Sequence, residues 1–361
     1  LDAKDPKNYV FGPTDHLLSF TRDCGLEIFY RLGTSIEHTG PKVHFNALIP
    51  EDFDKVAEIF AGMVRHYNKG WADGKDWNIK YWEIWNEPDG WNNMWCMPGG
   101  DTNENNAERR AKFATFFAIC LKRIKSEFPD VKVGGPALCG MNEGYFQELF
   151  DACKKLGVGP DFISWHYYGK NPQDIKGTAD RARALCDKNG LAGCELICNE
   201  WHFMDSDWGD LRSDNLAVSA RVQDGPTGHN NIDSAAFTLA NLALFQTSKL
   251  DQAYYYGCGH TGHWGYMNEV KQKNKNYYAC CLFGKIMKEY ATICESKIVN
   301  GDNYTLAVKS ADGKKKGLLL VDFRNNAQVI EVTVKGLGQA KRGRALVLDN
   351  TRDNFPCEVD L

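Results

Sequence analysis

Short apolar runs alternate with amphipathic segments along most of the chain. Runs such as KYWEIWN at 80–86 and DFISWH at 161–166 are rich in apolar and aromatic residues, as expected of strands covered on both faces. Between them, segments such as 105–128 repeat apolar residues at intervals of three and four, which predicts helices with one buried face. The repeated alternation of strand and helix indicates parallel βα units.

This alternation predicts six strands before residue 295, together with the helices that follow them. The strands are expected at 27–32, 80–86, 131–135, 161–166, 194–199 and 252–256. The helices are expected at 15–24, 50–67, 105–128, 143–156, 174–189, 234–248 and 276–290. The fold class is therefore an α/β (β/α)8 barrel, and since that barrel needs eight strands, we expect its first two to lie outside this sequence.

The pattern changes after residue 295. Short strands are predicted at 304–309, 316–323, 329–334 and 344–348, separated by turn-forming residues and without an intervening helix. The expected organisation is a catalytic barrel over residues 1–295. It is followed over 296–361 by a small antiparallel, β-sandwich-like domain that is itself incomplete.

Composition limits the class of protein. The chain has 361 residues, of which 43% are hydrophobic and 25% charged, which is ordinary for a soluble globular protein and excludes a disordered or fibrous one. The longest apolar runs fall short of the roughly 18 residues that span a bilayer. A net charge of −4 provides no basic field for nucleic acid or an anionic membrane.

The 13 cysteines form no C-x-x-C pair and do not resemble a disulfide scaffold. This usage leans towards a reducing compartment, while a secreted or periplasmic location after signal removal stays open. A homo-oligomer is also left open.

Two of the predicted strands end in a glutamate. Asn86-Glu87-Pro88 follows the strand at 80–86, and Asn199-Glu200-Trp201 follows the strand at 194–199. The carboxyl ends of barrel strands form the active-site mouth. Two carboxylates opposed across that mouth are the groups that cleave a glycosidic bond, one protonating the leaving oxygen while the other attacks the anomeric carbon or activates water.

Several rings and one further histidine follow strands at the same end, where rings can hold the apolar face of a sugar. The candidate substrate contacts are His38, Trp91, Trp201, Tyr256 and Trp264. The Cys and His residues of 258–263 fit no standard zinc spacing, so no metal is predicted. Glu83, four residues before Glu87, is expected to pair inside the barrel with Arg31.

The WEIWNEP motif at 82–88, with LICNEW downstream at 196–201, resembles the clan A retaining glycoside hydrolases. Within that clan the chain is most similar to glycoside hydrolase family 39, which includes β-xylosidases and α-L-iduronidases. VGGP at 133–136 and DFISWHYY at 161–168 carry the resemblance further, over roughly residues 15–350.

The resemblance implies roles for individual residues. Glu87 is the general acid/base and Glu200 the nucleophile of a double displacement. Asn86 binds the sugar 2-hydroxyl, and His166 or Tyr168 hydrogen-bonds near the nucleophile. No cofactor is implied, and the partner is an oligosaccharide or glycoside.

The predicted activity is that of a retaining, exo-acting hydrolase resembling a β-xylosidase. Other clan A specificities stay open: α-L-arabinosidase, β-galactosidase or β-glucosidase, and α-L-iduronidase. A sugar-transferring enzyme and a non-catalytic glycan-binding protein on the same fold are further alternatives.

Overall fold

A computed structural model describes most of the chain. The described residues are 1–34, 48–90, 94–211, 213–225, 228–259, 264–268, 270–298, 303–324, 329–336, 338, 340 and 342–360. They divide into two compact units. The first unit comprises Leu1–His166, Asp180–Asn199 and Leu250–Gln252, and the second comprises Tyr167–Ala179, Glu200–Lys249 and Ala253–Leu361.

Six strands form one sheet in chain order, β1 to β6. Their bounds are β1 Phe29–Leu32, β2 Tyr81–Ile84, β3 Lys132–Leu138, β4 Phe162–Gly169, β5 Glu195–Phe203 and β6 Gln252–Tyr255. Pairing is parallel from β1 through β4. A strand order that equals the chain order is that of a barrel, because a doubly wound open sheet would reverse its order at a switch point.

Helices alternate with these strands, most of them where the periodicity predicts; the two helices within residues 208–224 were not expected. They are α1 Gly12–Asp23, α2 Phe53–Lys69, α3 Asn106–Glu127, α4 Glu143–Lys155, α5 Gln173–Lys188, α6 Trp208–Leu211, α7 Leu216–Asp224, α8 Ile232–Phe245 and α9 Lys275–Glu289. Side-chain caps fix several starts: Asp52 accepts from the amide of Lys55, and Asn142 from that of Tyr145. Among the described residues, no helix combines the length and apolarity needed to cross a bilayer.

An aromatic cluster joins α3 to the strand that precedes it. Trp95 lies 5.0 Å from Phe113 and 5.0 Å from Phe116 between ring centroids, and Trp85 lies 5.6 Å from Phe116. All four side chains are buried. The cluster places the N-terminal half of α3 beside the chain that leaves β2, which is the segment bearing Glu87.

The C-terminal region contains two small antiparallel sheets. One is formed by β7 Thr292–Cys294, β8 Tyr304–Lys309 and β9 Lys316–Val321, the other by β10 Arg342–Val347 and β11 Phe355–Asp360. Apolar side chains of β8 and β9 share a core with α8 and α9 of the same unit. The predicted β character is confirmed, whereas the domain boundary at residue 295 stays a prediction.

Three sequence expectations differ from the structure. The segment 329–334 forms no strand, and its three valines are exposed, Val329 at 88%. The short strands β7 and β11 were not expected. In addition, β5 continues past Asn199 to Phe203, because Trp201 and Phe203 are buried and extend its apolar face. All 13 cysteines are free thiols.

Candidate active site

Glu87 lies in a turn that leaves β2, and its backbone is unusual. Trp85 has a φ of 75° and Glu87 a φ of 45°, both in the left-handed region that non-glycine residues rarely adopt. The Glu87 amide donates to the carbonyl of Ala137, 2.9 Å away, where the register of β3 shifts between Gly135 and Leu138. The irregular end of β3 therefore holds the backbone of this glutamate.

The Glu87 carboxylate contacts a buried histidine. His166 Nδ1 lies 2.8 Å from Glu87 Oε1, and the glutamate side chain is 21% exposed. An ionised carboxylate can only accept, so in that state His166 carries its proton on Nδ1 and donates it to Glu87. The expectation was that either His166 or Tyr168 lies beside Glu200; His166 binds Glu87, and the hydrogen bond to Glu200 comes from Tyr168.

Glu83 lies in β2, four residues before Glu87. Its side chain is buried, and both of its carboxylate oxygens accept hydrogen bonds. Arg31 Nε lies 2.6 Å from Oε2, Ser164 Oγ donates to Oε1 at 2.5 Å, and Asn199 Nδ2 donates to both oxygens at 2.7 and 2.9 Å. The predicted Arg31–Glu83 pair is confirmed. A fully buried carboxylate with three donor side chains is a structural link between strands rather than a group that exchanges protons with substrate.

Asn86 has a polar atom that the protein leaves unsatisfied. Among the described residues, Asn86 Oδ1 is buried and has no hydrogen-bond partner. A buried acceptor without a donor is costly unless a ligand or water supplies one. This atom is therefore suited to accept a hydroxyl hydrogen from a substrate.

Asp89 and Cys139 also lie near Glu87, and sequence reasoning missed both. The Cys139 amide donates to Asp89 Oδ1 at 3.0 Å. Burial raises the pKa of Asp89, and burial together with the nearby Asp89 and Glu87 carboxylates raises the pKa of the Cys139 thiol. The Cys139 thiol therefore stays protonated beside the two acids.

In the second unit, Glu200 is held by a tyrosine. The Tyr168 hydroxyl donates to Glu200 Oε2 over 2.8 Å. Glu200 lies within β5 rather than after it, since the strand runs on to Phe203. Successive side chains of a strand point to opposite faces, so Glu200 and Trp201 do not share one.

The structure contradicts the role that the sequence predicted for Trp201. It was expected to form a wall of the sugar site, but it is 1% exposed. Its ring packs against Phe245 at 5.2 Å and Tyr255 at 5.1 Å between centroids. The strand alternation sends this ring into the core, where it stabilises the fold.

Rings surround Tyr168 beside Glu200. Trp264, Trp208 and Tyr256 have centroids 5.0, 5.4 and 6.1 Å from that of Tyr168. Trp208 is 45% exposed and Tyr256 is 38% exposed. Exposed rings beside a carboxylate suit the apolar face of a sugar. Trp208, in α6, was missed because its DSDWGD context is typical of an acidic loop.

A neutral histidine lies behind Trp264. His202 Nδ1 donates to the carbonyl of Phe203 at 2.8 Å, which leaves Nε2 to accept from the Tyr255 hydroxyl at 2.7 Å. Burial, followed by the nearby His229, lowers the pKa of His202 to about 3. Its ring lies 5.0 Å from that of Trp264 and so gives this half-buried ring an uncharged, fixed support.

The remaining candidates are divided between described and undescribed parts of the chain. Tyr256 and Trp264 lie with Tyr168 and Glu200 in the second unit, while Asn86 and His166 lie with Glu87 in the first. His38 and Trp91 fall outside the described residues. Their predicted substrate contacts stay predictions.

Comparison with known proteins shows that the chain is similar to glycoside hydrolases. The sequence model of glycosyl hydrolases family 39 matches residues 2–181. A β-xylosidase from Caldicellulosiruptor saccharolyticus is 27% identical over 176 residues, which are 46% of this chain and 32% of that protein.

Two solved structures share the fold. A glucosidase from Croceicoccus marinus matches with a TM-score of 0.68 and 24% identity, over 90% of this chain and 63% of the other. A monomeric β-xylosidase from Caulobacter crescentus CB15 matches with a TM-score of 0.61 and 16% identity, over 96% and 64%. The predicted α/β barrel class is thereby confirmed. The match spans about a third of the curated relative's length.

Proposed function

The chain belongs to glycosyl hydrolase family 39, and on that premise we propose that it is a retaining glycoside hydrolase with Glu87 as acid/base and Glu200 as nucleophile. The observation that carries this proposal is the pair of contacts made from one strand. On β4, His166 binds Glu87 and Tyr168 binds Glu200. Residues two apart on a strand point to the same face, so the two side chains that bind the carboxylates leave β4 on one side.

The proposed reaction is a double displacement. Glu200 attacks the anomeric carbon while Glu87 donates its proton to the departing oxygen, which forms a glycosyl-enzyme ester. Glu87 then takes a proton from water, and that water attacks the anomeric carbon and releases Glu200. Two inversions give net retention, and the two carboxyl groups are expected about 5–5.5 Å apart.

The contacts of each carboxylate suit its role. A hydrogen bond from the Tyr168 hydroxyl favours the ionised form of Glu200 that is needed for attack. His166 fixes the rotamer of Glu87, and its Nδ1 can donate to the carboxylate that remains after proton transfer. Asn86, whose Oδ1 has no hydrogen-bond partner among the described residues, is suited to bind a sugar hydroxyl.

We propose a xyloside-like substrate as the first to test. The curated relative described above is named a β-xylosidase, and one solved structure of the same fold is a glucosidase. Both sugars present an apolar ring face of the kind that Trp208, Tyr256 and Trp264 can stack against. Glucose carries a hydroxymethyl group that xylose lacks, and a panel of substrates tests which of the two sugars the site prefers.

The test is turnover of a panel of aryl glycosides by the protein, beside Glu200→Ala. A matched control is Glu195→Gln, which removes a carboxylate from the opposite end of the same strand, where it binds Tyr81 and Lys132. We expect Glu200→Ala to abolish turnover, azide to restore part of it, and Glu195→Gln to stay active. Turnover by Glu200→Ala at the wild-type rate, or none by the wild type on any member, would contradict the proposal.

A further inference from the structure

We infer that Arg109 is a positioning residue that holds the turn carrying the acid/base. The inference rests on the role proposed for Glu87. It assigns to a buried arginine on α3 a function that neither the sequence pattern nor the proposed mechanism requires. Arg109 does not touch the reacting atoms; it acts through the backbone that follows Glu87.

The guanidinium of Arg109 is bound to consecutive carbonyls. Nη1 donates to Pro88 at 3.1 Å, to Gly90 at 2.9 Å and to Trp95 at 3.3 Å, and Nη2 donates to Asp89 at 3.3 Å. Every residue of the turn after Glu87 up to Gly90 therefore gives its carbonyl to one side chain. The residue is 2% exposed, so water does not compete for these bonds.

A charge in this place is expensive, which argues that it serves a purpose. The Asp101 carboxylate lies 3.4 Å from Nη1 and is itself fixed by the amide of Met97 at 3.0 Å. Burying such a pair usually contributes little or nothing to stability compared with apolar residues of the same volume. The fork of the guanidinium, however, binds several carbonyls at once, as an apolar side chain cannot.

The turn needs to be held because its backbone is strained. The left-handed conformations of Trp85 and Glu87 persist only where surrounding contacts impose them. Within the turn, the amide of Gly90 donates back to the carbonyl of Glu87 at 3.0 Å. Without the guanidinium, the carbonyls of the turn lose their donors and the backbone of Glu87 can relax. A misplacement of about 1 Å costs on the order of 100-fold in rate.

The experiment compares Arg109→Lys and Arg109→Gln with Arg110→Gln. Arg110 is the next residue of α3, but its guanidinium binds Glu148 at 2.6 Å instead of the turn. The substrates are aryl glycosides of the sugar that the wild type prefers, with leaving groups from dinitrophenol to an unactivated phenol. Protonation by Glu87 matters for the poor leaving groups and hardly at all for dinitrophenolate.

We expect both Arg109 variants to lose about 10- to 100-fold in kcat/KM on the poorest leaving group and less than about 3-fold on the dinitrophenyl glycoside. Lysine should retain more activity than glutamine, because it keeps one charged donor. Arg110→Gln should follow the wild type on every substrate. Equal losses on all leaving groups would indicate a global defect and overturn the inference.

A second readout does not depend on turnover. Hydrogen exchange followed by mass spectrometry should show faster exchange in the 82–90 peptide of Arg109→Gln, and unchanged exchange in Arg110→Gln. Unchanged exchange in Arg109→Gln would overturn the inference. If the wild type turned over no glycoside, the proposed function would fail while this measurement still decided whether Arg109 holds the turn.

Discussion

His166 Nδ1 lies 2.8 Å from Glu87 Oε1, and this contact joins the middle of β4 to the turn after β2. We expect His166→Ala to lower kcat about 10- to 100-fold on glycosides with poor leaving groups, because Glu87 loses the donor that fixes its rotamer. His166→Asn is the matched control, since its amide can place a donor near the position of Nδ1. If steady-state kinetics gave both His166→Ala and His166→Asn the kcat of the wild type, the role of His166 would be contradicted.

Tyr168→Phe removes a single hydroxyl from Glu200. A hydrogen bond to a charged group contributes about 1.5–3 kcal/mol, which corresponds to roughly a 10- to 100-fold loss in kcat. The control is Tyr167→Phe, whose hydroxyl donates to Asp174 Oδ2 at 2.8 Å on the other face of the same strand. If the two substitutions had the same effect on kcat, the loss would not come from Glu200.

Glu83→Leu is expected to destabilise the protein without a direct effect on chemistry. It removes the carboxylate that Arg31, Ser164 and Asn199 bind. Because the Arg31 side chain is 32% exposed, we expect a loss of about 1–3 kcal/mol, below that of a fully buried pair. Glu83→Gln keeps the shape and one acceptor and should lose less. The measurement is the free energy of unfolding from urea denaturation, and a decrease of less than about 1 kcal/mol for Glu83→Leu would refute the structural role.

Asp205 predicts how stability depends on pH. Burial raises its pKa, but hydrogen bonds from Lys170 at 2.8 Å and Arg324 at 2.7 Å outweigh burial, so the folded pKa lies below the usual value. The stabilisation is therefore complete above the unfolded pKa of about 3.9 and is lost as pH falls through the folded pKa.

Thermal unfolding followed from about pH 5 downwards tests this sign, because the wild type should lose this stabilisation only as the pH falls below the unfolded pKa of about 3.9. Asp205→Asn should flatten the decline of the melting temperature relative to the wild type, and Arg324→Gln should flatten it as well. A variant that fell as steeply as the wild type would show that the ion pair does not contribute.

Much of the fold follows from the periodicity of the sequence. The strand runs and helix spacings predicted β1 to β6 and the helices between them except α6 and α7, because parallel strands and amphipathic helices each bury a regular set of positions. The Arg31–Glu83 pair was predictable for the same reason. The two residues are register partners on neighbouring strands, and an inward carboxylate needs a partner.

The site was less predictable where it depends on exact strand length. The prediction ended the strand at Asn199, which left Trp201 free to face the sugar. Continuing β5 to Phe203 turns that ring into the core by simple alternation. Trp208 depends on the path of the chain after β5, for which the local sequence carries no periodic signal.

Arg109 shows a different limit. On an amphipathic helix, an arginine between polar neighbours is typical of the solvent face. Its burial follows from tertiary packing of α3 beside the turn after β2, and no local pattern reports that contact. Asp89 and Cys139 come together in the same way, from strands that the sequence separates by 50 residues.

The most direct test of the account is to trap the glycosyl-enzyme intermediate. The wild type is incubated with an activated 2-deoxy-2-fluoro glycoside of its preferred sugar. The fluorine slows both the formation and the hydrolysis of the ester, and the activated leaving group restores only the rate of formation, so the ester accumulates. Peptide mass spectrometry should then find one sugar on Glu200, and none in Glu200→Ala. A sugar on any other residue, or turnover of the parent glycoside with inversion and no adduct, would contradict the assignment of Glu200 as nucleophile.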